Sequence, residues 1–278
     1  MTSFRQSVLG VAVVATACGR IGFETGPSGS DTDADSTADD GQVLPSCLVG
    51  WWKLDDDTGV IATDSSGNGN TGTLLNGPVW GAGRFGAALQ FDGVDDLVDI
   101  GGGNDSPFDI PGPVSVCAWF NAMSTTDSQT LLAHNLGGGT GYIQYALQIN
   151  DGQGTPADSN SRVSFIWANG SADYEIWYSA PFVIQPLRWH HLCGVRIDNS
   201  TVELYLDGAT LVVLSNAAST IPDDGALLQK AAIGMLNFMG GIRKFAGSLD
   251  DLRLYRGAIT SEGVLDVYGG GPGTACAN

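Results

Sequence analysis

Two adjacent histidines and a nearby cysteine are the residues whose types and spacing most suggest chemistry. They lie in RWHHLCGVRIDNSTVELYLDG, residues 188–208, with aspartates close by. Such a set could ligate a metal or pair a thiol nucleophile with a base. However, His190 and His191 are neighbours in a predicted strand, so their side chains point to opposite faces. We therefore predict that this segment is scaffold, with a hairpin turn at Asp198-Asn199-Ser200.

Paired carboxylates would indicate a glycoside hydrolase. A retaining enzyme needs two carboxyl groups about 5–5.5 Å apart. None of the four glutamates has another within reach along a strand; they are Glu24, Glu175, Glu203 and Glu262. Aspartate pairs could still meet in space. Because the sequence also lacks a Gly-x-Ser-x-Gly elbow and a His-Glu-x-x-His helix, we predict that the protein is not an enzyme.

An aromatic cluster is the best candidate for ligand binding. Four rings fall close together in FIWANGSADYEIWYSAP, at Trp167, Tyr174, Trp177 and Tyr178. Aromatic rings stack on sugar faces, and nearby Asn and Asp side chains can bind sugar hydroxyls. The four residues are therefore predicted to line a concave groove. The alternative is that these rings fill the core.

Composition favours a single loop-rich, all-β domain. The chain has 278 residues, 43% of them apolar, and 40 glycines that cluster between apolar runs. This pattern is typical of short strands joined by turns. The formal net charge is −18, from 12 basic and 30 acidic residues. Because no basic patch could follow a phosphate backbone, nucleic acid is not expected as a partner.

The N-terminal segment MTSFRQSVLGVAVVATAC is typical of an export signal. One arginine precedes an apolar run that is too short to span a bilayer. Ala15-Thr16-Ala17-Cys18 resembles a bacterial lipobox, although leucine is usual where Ala15 stands. We predict a lipoprotein signal peptide at 1–17, lipidation of Cys18, and an acidic, disordered tether at 18–46. The alternative is an ordinary signal that is cleaved without lipidation.

The remaining cysteines suggest two disulfides. If Cys18 carries lipid, four cysteines remain, and export places them in an oxidising compartment. Three pairings are possible. Cys47 and Cys276 stand at the edges of the folded region, whereas Cys117 and Cys193 each lie inside an apolar run. The economical pairing is therefore Cys47–Cys276 with Cys117–Cys193.

Strand patterns fill the region from residue 47 to the end. In STVELYLDG, Val202, Leu204 and Leu206 alternate with more polar positions, as expected for a half-buried strand. More than ten such short segments alternate with turns, and only TSEGVLDVY near the end is predicted to be helical, capped by Thr260 or Ser261. The predicted fold is all-β, an antiparallel two-sheet jelly-roll sandwich with one short C-terminal helix.

Five segments in order resemble a known family. They are WWKLDDDTGVIATDSSGNGNTGTLLNG, GRFGAALQFDGVDDLVDI, VSVCAWFNA, WHHLCGVRIDNSTVELYLDG and FAGSLDDLRLYRGAIT. Together they look like the successive signatures of laminin-G-like, pentraxin-like jelly rolls in the concanavalin A-like lectin/glucanase superfamily. The resemblance covers about residues 47–270, within a domain that we place at 47–276. It implies a disulfide between Cys117 and Cys193.

Structural calcium is the cofactor that the resemblance implies. A hard cation is bound by about six to eight oxygen atoms. In related jelly-roll glucanases, an aspartate placed like Asp250 often holds a structural calcium. We therefore predict Asp250 as a metal ligand, with Asp92 or a neighbouring carbonyl as its partner. The alternative is that both aspartates cap turn amides.

These observations predict an exported, lipid-anchored, non-catalytic module that recognises carbohydrate or protein at a bacterial cell surface. Its only membrane contact would be the lipid anchor. One alternative is a structural or adhesive component of the envelope without a small ligand. Another is a glycan-active hydrolase with an unusual acid pair.

Overall fold

Short strands joined by turns make up most of the described residues, and one helix follows them there. The computed structural model describes residues 44–102, 106–136, 142–150, 161–168, 174–216, 230–238, 241–273 and residue 276. The predicted signal peptide, Cys18 and all but the last residues of the predicted tether lie outside these ranges. In chain order, the elements are β1 (Leu48–Trp52), β2 (Ile61–Ala62), β3 (Gly72–Leu75), β4 (Val79–Ala82), β5 (Ala87–Asp92), β6 (Leu97–Asp99), β7 (Val114–Ala122), β8 (Gln129–Leu136), β9 (Tyr142–Ile149), β10 (Val163–Ala168), β11 (Tyr174–Ser179), β12 (His190–Arg196), β13 (Val202–Leu206), β14 (Ala209–Thr210), β15 (Val213–Asn216), β16 (Ala231–Ile233), β17 (Met235–Phe238), β18 (Gly241–Lys244), β19 (Ala246–Tyr255) and α1 (Ser261–Tyr268).

Two antiparallel sheets form a sandwich, which confirms the predicted fold class. The first sheet has the strand order β14-β13-β12-β7-β19-β5-β4, and β1 also pairs with β19. The second sheet has the order β15-β11-β10-β9-β8-β16-β6-β3-β2. A separate hairpin consists of β17 and β18. Neighbours within each sheet are often far apart in sequence, as in a jelly roll.

Turn chemistry sets the strand ends. Between β13 and β14, Asp207 has a φ of 52° and Gly208 a φ of 80°. An Asp-Gly pair tolerates these left-handed conformations, which a tight hairpin turn requires. The turn also fixes β12, because Asp207 accepts a hydrogen bond from the backbone N–H of His191 at 2.8 Å.

The main hydrophobic core lies between the two sheets. It combines Phe120 and Leu249 of the first sheet with Leu147 and Phe165 of the second, all of them 0% exposed. Burial of such side chains stabilises a fold by about 1.5–3 kcal/mol each. Gly194 of β12 keeps the sheets close, because a Cβ atom there would lie 2.4 Å from the Phe165 ring.

Part of the outer face of the first sheet is covered by helix α1 and the C-terminal residues. Val264 and Val267 of α1 pack on a second cluster that includes Cys117, Cys193 and Tyr255. Two disulfides hold this end of the molecule, Cys117–Cys193 across β7 and β12 and Cys47–Cys276 at the edges of the fold. They are the pairs expected from the sequence.

The outer face of the second sheet is also packed. Ala146, Ile166 and Ile176 form a third buried cluster together with Leu236 of the β17–β18 hairpin. No helix in the described residues is both long enough and apolar enough to cross a membrane.

Candidate functional site

The two adjacent histidines have separate structural roles. His190 faces Phe120, and its Nδ1 lies 2.8 Å from Asp207 Oδ2. His191 points to the other side of β12, beneath the rings of Trp119 and Tyr268. It is 0% exposed, and burial lowers the pKa of His191 to about 3. The opposite orientations are those that we expect for neighbours in a strand.

Cys193 is not a free thiol in this structure. Its Sγ lies 3.9 Å from His191 Nε2, so the cysteines and this histidine have the proximity of a metal site. The Cys117–Cys193 bond occupies both sulfur atoms. Because metal ligation and nucleophilic attack require the thiolate, this cluster is a disulfide packed against a neutral imidazole.

The aromatic stretch is placed differently from the predicted groove. Trp167 and Trp177 are each only 4% exposed and belong to the core between the sheets. The prediction that these two rings bind a ligand is therefore wrong. Tyr178 lies on the opposite face of β11, half-buried, with the Arg162 guanidinium 4.9 Å from its ring centre. The side chain of Tyr174 is outside the described part of the structure.

Asp250 binds the backbone of the β4–β5 turn through one of its two carboxylate oxygens. Its Oδ2 accepts hydrogen bonds from the N–H groups of Arg84 and Phe85, at 2.7 and 2.8 Å. Its Oδ1 is buried and has no hydrogen-bond partner among the described residues. Burial raises the pKa of Asp250 to about 7, although those two amides act to lower it. A buried carboxylate oxygen without a hydrogen-bond partner can serve as a ligand atom for a hard cation. Asp250 therefore fits the implied calcium.

Asp92 does not lie beside Asp250, so the prediction that it is the partner of Asp250 is wrong, whereas the other predicted partner, a neighbouring carbonyl, stays a prediction. Ala246 of β19 is paired with Asp92, and Asp250 lies four residues farther along that strand. The separation along the strand is therefore roughly 13 Å. Asp92 instead lies beside Asp95 and Asp96, with ligand atoms of the three within 4.8 Å of one another.

An open groove lies where Asp92 ends β5, on the outer face of the first sheet. Its volume is about 690 Å³. Its wall includes residues from β4, β5, β7, β19 and the loops beside them, namely Asn76, Gly77, Val79, Gln90, Phe91, Asp92, Asp96, Asn121, Met123, Leu187, Gly247 and Ser248.

A row of neutral polar side chains crosses this groove. Ser248 of β19 pairs in register with Gln90 of β5 on one side and with Asn121 of β7 on the other. The three side chains therefore point to the same face, spaced by the distance between strands, about 4.8 Å. Gln90 is exposed and the other two are half-buried.

None of these three side chains makes a hydrogen bond within the described part of the protein. Together they offer amide N–H and hydroxyl donors as well as oxygen acceptors toward the groove. This unused hydrogen-bonding capacity is what a neutral, polar ligand could satisfy. Sequence reasoning missed the row, because its members are separated by 31 and 127 positions and only strand register brings them together.

Exposed aliphatic side chains border the row. Val79, Met123 and Leu187 are 60%, 62% and 71% exposed. Leu187 has a φ of 59°, and its N–H donates to the carbonyl oxygen of Ala122 at 2.8 Å. A non-glycine residue in the left-handed region costs roughly 1–3 kcal/mol, and such positions cluster at ligand sites.

The acidic end of the groove is tied to its own turn. Asp92 Oδ1 accepts from the N–H of Val94 at 2.7 Å, which lowers the pKa of Asp92. Asp96 Oδ2 accepts from the N–H of Asp92 at 2.8 Å. Asp96 is 5% exposed, and burial raises its pKa. Both carboxyl groups thus cap backbone amides of the β5–β6 turn, which was the alternative reading of Asp92.

Comparison with known families agrees with this architecture. The family model Laminin_G_3, described as the Concanavalin A-like lectin/glucanases superfamily, matches residues 92–265. The chain belongs to this superfamily. The matched region runs from the groove residue Asp92 through β19 into helix α1. A search of curated proteins found no match.

Solved structures of the same fold include carbohydrate-binding proteins. Domain 4 of AbnA, a GH43 extracellular arabinanase from Geobacillus stearothermophilus in complex with arabinotriose, is 21% identical, with a TM-score of 0.53. The alignment covers 80% of this superfamily member and 98% of that domain. Trypanosoma rangeli sialidase in complex with sialic acid is 14% identical, with a TM-score of 0.53 and coverage of 82% of this chain.

A third similar structure is the receptor binding domain of botulinum neurotoxin D, at 13% identity, a TM-score of 0.52 and coverage of 81% of this chain. The aligned part spans 34% of the sialidase chain and 52% of the neurotoxin chain. At these identities the comparisons establish the fold of this lectin/glucanase superfamily member. Its two disulfides are typical of an extracellular or secreted protein.

Proposed function

We propose that this protein is a non-catalytic module that binds carbohydrate in the groove on its first sheet. The observation that carries the proposal is the row Gln90, Ser248 and Asn121, whose side chains face an open groove and make no hydrogen bond with the residues that the structure describes. Sugar hydroxyls both donate and accept hydrogen bonds, as do amides and hydroxyls. The arabinotriose bound in a solved structure of this fold supports carbohydrate as the ligand class.

Binding accounts for the groove better than catalysis does. Asp92 and Asp96 are the acid pair that lines it, and they lie in one turn, four residues apart. A glycosidase places its two carboxyl groups on either side of the scissile bond. Here both groups accept hydrogen bonds from amides of the same turn, so one oxygen of each carboxyl group is held by the protein itself.

Truncation of the polar row should weaken glycan binding. We expect Asn121→Ala and Gln90→Ala each to reduce affinity about three- to tenfold, since each removes hydrogen bonds to the ligand. Glycan-array screening would identify chains bound by the wild type, and titration calorimetry would measure their affinities for each variant.

Thr73→Ala is the matched control for these variants. Thr73 is an exposed polar residue on β3 of the second sheet, outside the groove, so its removal should leave affinity unchanged. If the wild type binds no glycan on the array, or if Thr73→Ala weakens binding as much as the groove variants do, the proposal is wrong. If no glycan on the array is bound and a pull-down captures an envelope protein, the adhesive alternative is favoured.

We also propose a structural calcium at Asp250, with the buried Oδ1 as one ligand. The ion would neutralise a carboxylate that burial otherwise disfavours, and so would stabilise the β4–β5 turn that Asp250 holds. Chelation should lower the melting temperature by roughly 5–10 °C, the effect of losing a ligand present at about 100 times its Kd.

Two aspartate variants test which residue binds the ion. Asp250→Asn should melt at the same temperature with and without chelator, whereas Asp92→Asn should keep the wild-type response. If chelation leaves the melting curve of the wild type unchanged, the proposal that Asp250 binds a structural calcium is wrong. Loss of the response in Asp92→Asn alone would instead place the ion in the β5–β6 turn.

A further inference from the structure

We infer that the groove selects neutral glycans and discriminates against acidic ones such as uronates, sialylated chains and sulfated chains. This inference rests on the proposed function and names the ligand class of that same site. It follows from the charge of the groove, from the spacing of the polar row, and from the exposed side chains Val79, Met123 and Leu187 that form the rim of the groove. None of these features depends on the fold family.

Charge is the first observation. No lysine, arginine or histidine is among the described residues that line the groove. Asp92 and Asp96 line one end, with Asp95 beside them, and Asp92 is exposed with a lowered pKa that keeps it ionised. The whole chain has a formal charge of −18. An anionic sugar would therefore meet repulsion without a cation to pair with, whereas a neutral sugar would not.

The spacing of the polar row matches a chain of sugars. Three adjacent strands place Gln90, Ser248 and Asn121 over a span of roughly 10 Å, twice the distance between strands. A sugar ring is about as long as one strand spacing, so successive rings can each meet one member of the row. Amides and a hydroxyl serve neutral hydroxyls equally well as donors and acceptors, and no member supplies the charged donors that carboxylate or sulfate groups favour.

The rim indicates how a neutral sugar would be held. Val79 pairs with Gln90 at one end of the row, and Leu187 binds the backbone of Ala122, next to Asn121, at the other end. Both side chains are exposed, as is that of Met123, two residues after Asn121. They can cover the C–H edges of a sugar while the polar row binds its hydroxyls, because burial of such surface is favourable and non-directional. This combination fits an uncharged oligosaccharide of two or more rings.

Paired glycans test the selectivity directly. An array should carry neutral oligosaccharides beside their uronate or sulfated counterparts with the same linkages, and calorimetry should follow on the pairs that bind. We expect the wild type to bind the neutral member of each pair more tightly. Adding a cation to the rim by Val79→Lys should improve the relative affinity of the acidic member about two- to fivefold, as expected for an exposed ion pair.

Val60→Lys is the matched control, because Val60 is 62% exposed, like Val79, but does not line the groove. It should leave the neutral-to-acidic ratio at the wild-type value. Met123→Lys provides a second rim cation if Val79→Lys disturbs the edge strand β4. The inference is wrong if the wild type binds acidic chains as tightly as neutral ones or more tightly. It is also wrong if Val60→Lys changes the ratio as much as Val79→Lys does. In both cases the proposal of glycan binding is unaffected. Absence of binding to every chain overturns the proposed function as well.

Discussion

At the scale of single residues, one group of buried charged and aromatic side chains holds the C-terminal part of the fold. Asp251 and Arg253 form a buried ion pair at 2.8 Å, and Trp51 Nε1 donates to the same carboxylate at 2.5 Å. The guanidinium of Arg253 also donates to carbonyl groups of Gly270 and Gly271, which fixes the residues after helix α1. Removing one partner of such a pair would leave a buried charge uncompensated, so these residues hold structure rather than bind ligand.

His191 should make the stability of the protein depend on pH. Its folded-state pKa of about 3 lies below its ordinary value of 6.5, so the unfolded chain takes up a proton that the folded chain excludes. The contribution of His191 to the free energy of unfolding therefore falls as pH drops below 6.5 and is nearly constant above it. Between pH 6.5 and pH 5 the loss is roughly 2 kcal/mol.

Denaturant unfolding of the wild type and His191→Phe at pH 7 and pH 5 measures this contribution. The difference in unfolding free energy between the two proteins should change with pH by about that amount. Leu192→Val removes a buried group at the adjacent position without a titrating side chain, so its difference from the wild type should be independent of pH. The same pH dependence in both variants would contradict the assignment.

At the scale of elements, helix α1 joins the outer face of the first sheet through an ordinary N-cap. Thr260 Oγ1 accepts a hydrogen bond from the N–H of Gly263 at 3.2 Å. Thr260 was one of two caps that the sequence suggested, and the residues of α1 agree with the predicted helix. The cap matters for the disulfide region, because Val264 and Val267 pack over Cys117 and Cys193.

Removal of this cap should cost about 1 kcal/mol of stability. Thr260→Ala leaves the Gly263 N–H without its side-chain acceptor, while Ser261→Ala changes an exposed residue within the first turn. Chemical denaturation should therefore show a lower midpoint for Thr260→Ala and a nearly unchanged one for Ser261→Ala. A larger loss in the Ser261 variant would place the cap one residue later.

Elements also show why the sequence predicted the fold but not the site. Turn residues such as Asp207-Gly208 and alternation in β13 are local signals, so strands and hairpins could be read without any contact information. β10 is buried along its whole length, with a core on each side, so its pattern does not reveal which face Trp167 occupies. The sequence of β10 therefore does not show that the Trp167 ring packs between the sheets.

The groove could not be predicted for a different physical reason. Gln90, Asn121 and Ser248 are common polar residues, and each is ordinary for the exposed face of its own strand. Their alignment depends on the pairing of β19 with both β5 and β7. Register between distant strands is set by the packed core, which no local motif encodes.

At the scale of the whole molecule, the predicted lipidation of Cys18 would hold the groove at a membrane surface. Fatty-acid analogue labelling should mark the wild type and not Cys18→Ser, because the thioether requires that sulfur. Cys276→Ser serves as a control for loss of a different cysteine, and it should be labelled like the wild type. Equal labelling of the wild type and Cys18→Ser contradicts the lipoprotein prediction and favours a signal that is cleaved without lipidation.

Strand β19 connects the groove to the point where the chain enters the folded domain. One end of β19 carries Ser248 in the groove, and just beyond the other end the N–H of Arg256 donates to the carbonyl oxygen of Cys47 at 2.8 Å. If a glycan is gripped at one end and the chain is anchored ahead of Cys47, a pull stretches the domain along this strand. Ladder hydrogen bonds run across the strands, so such a load shears many of them together instead of unzipping them singly. Under such a load, the Cys47–Cys276 bond would keep the start of β1 tied to the C-terminal residues.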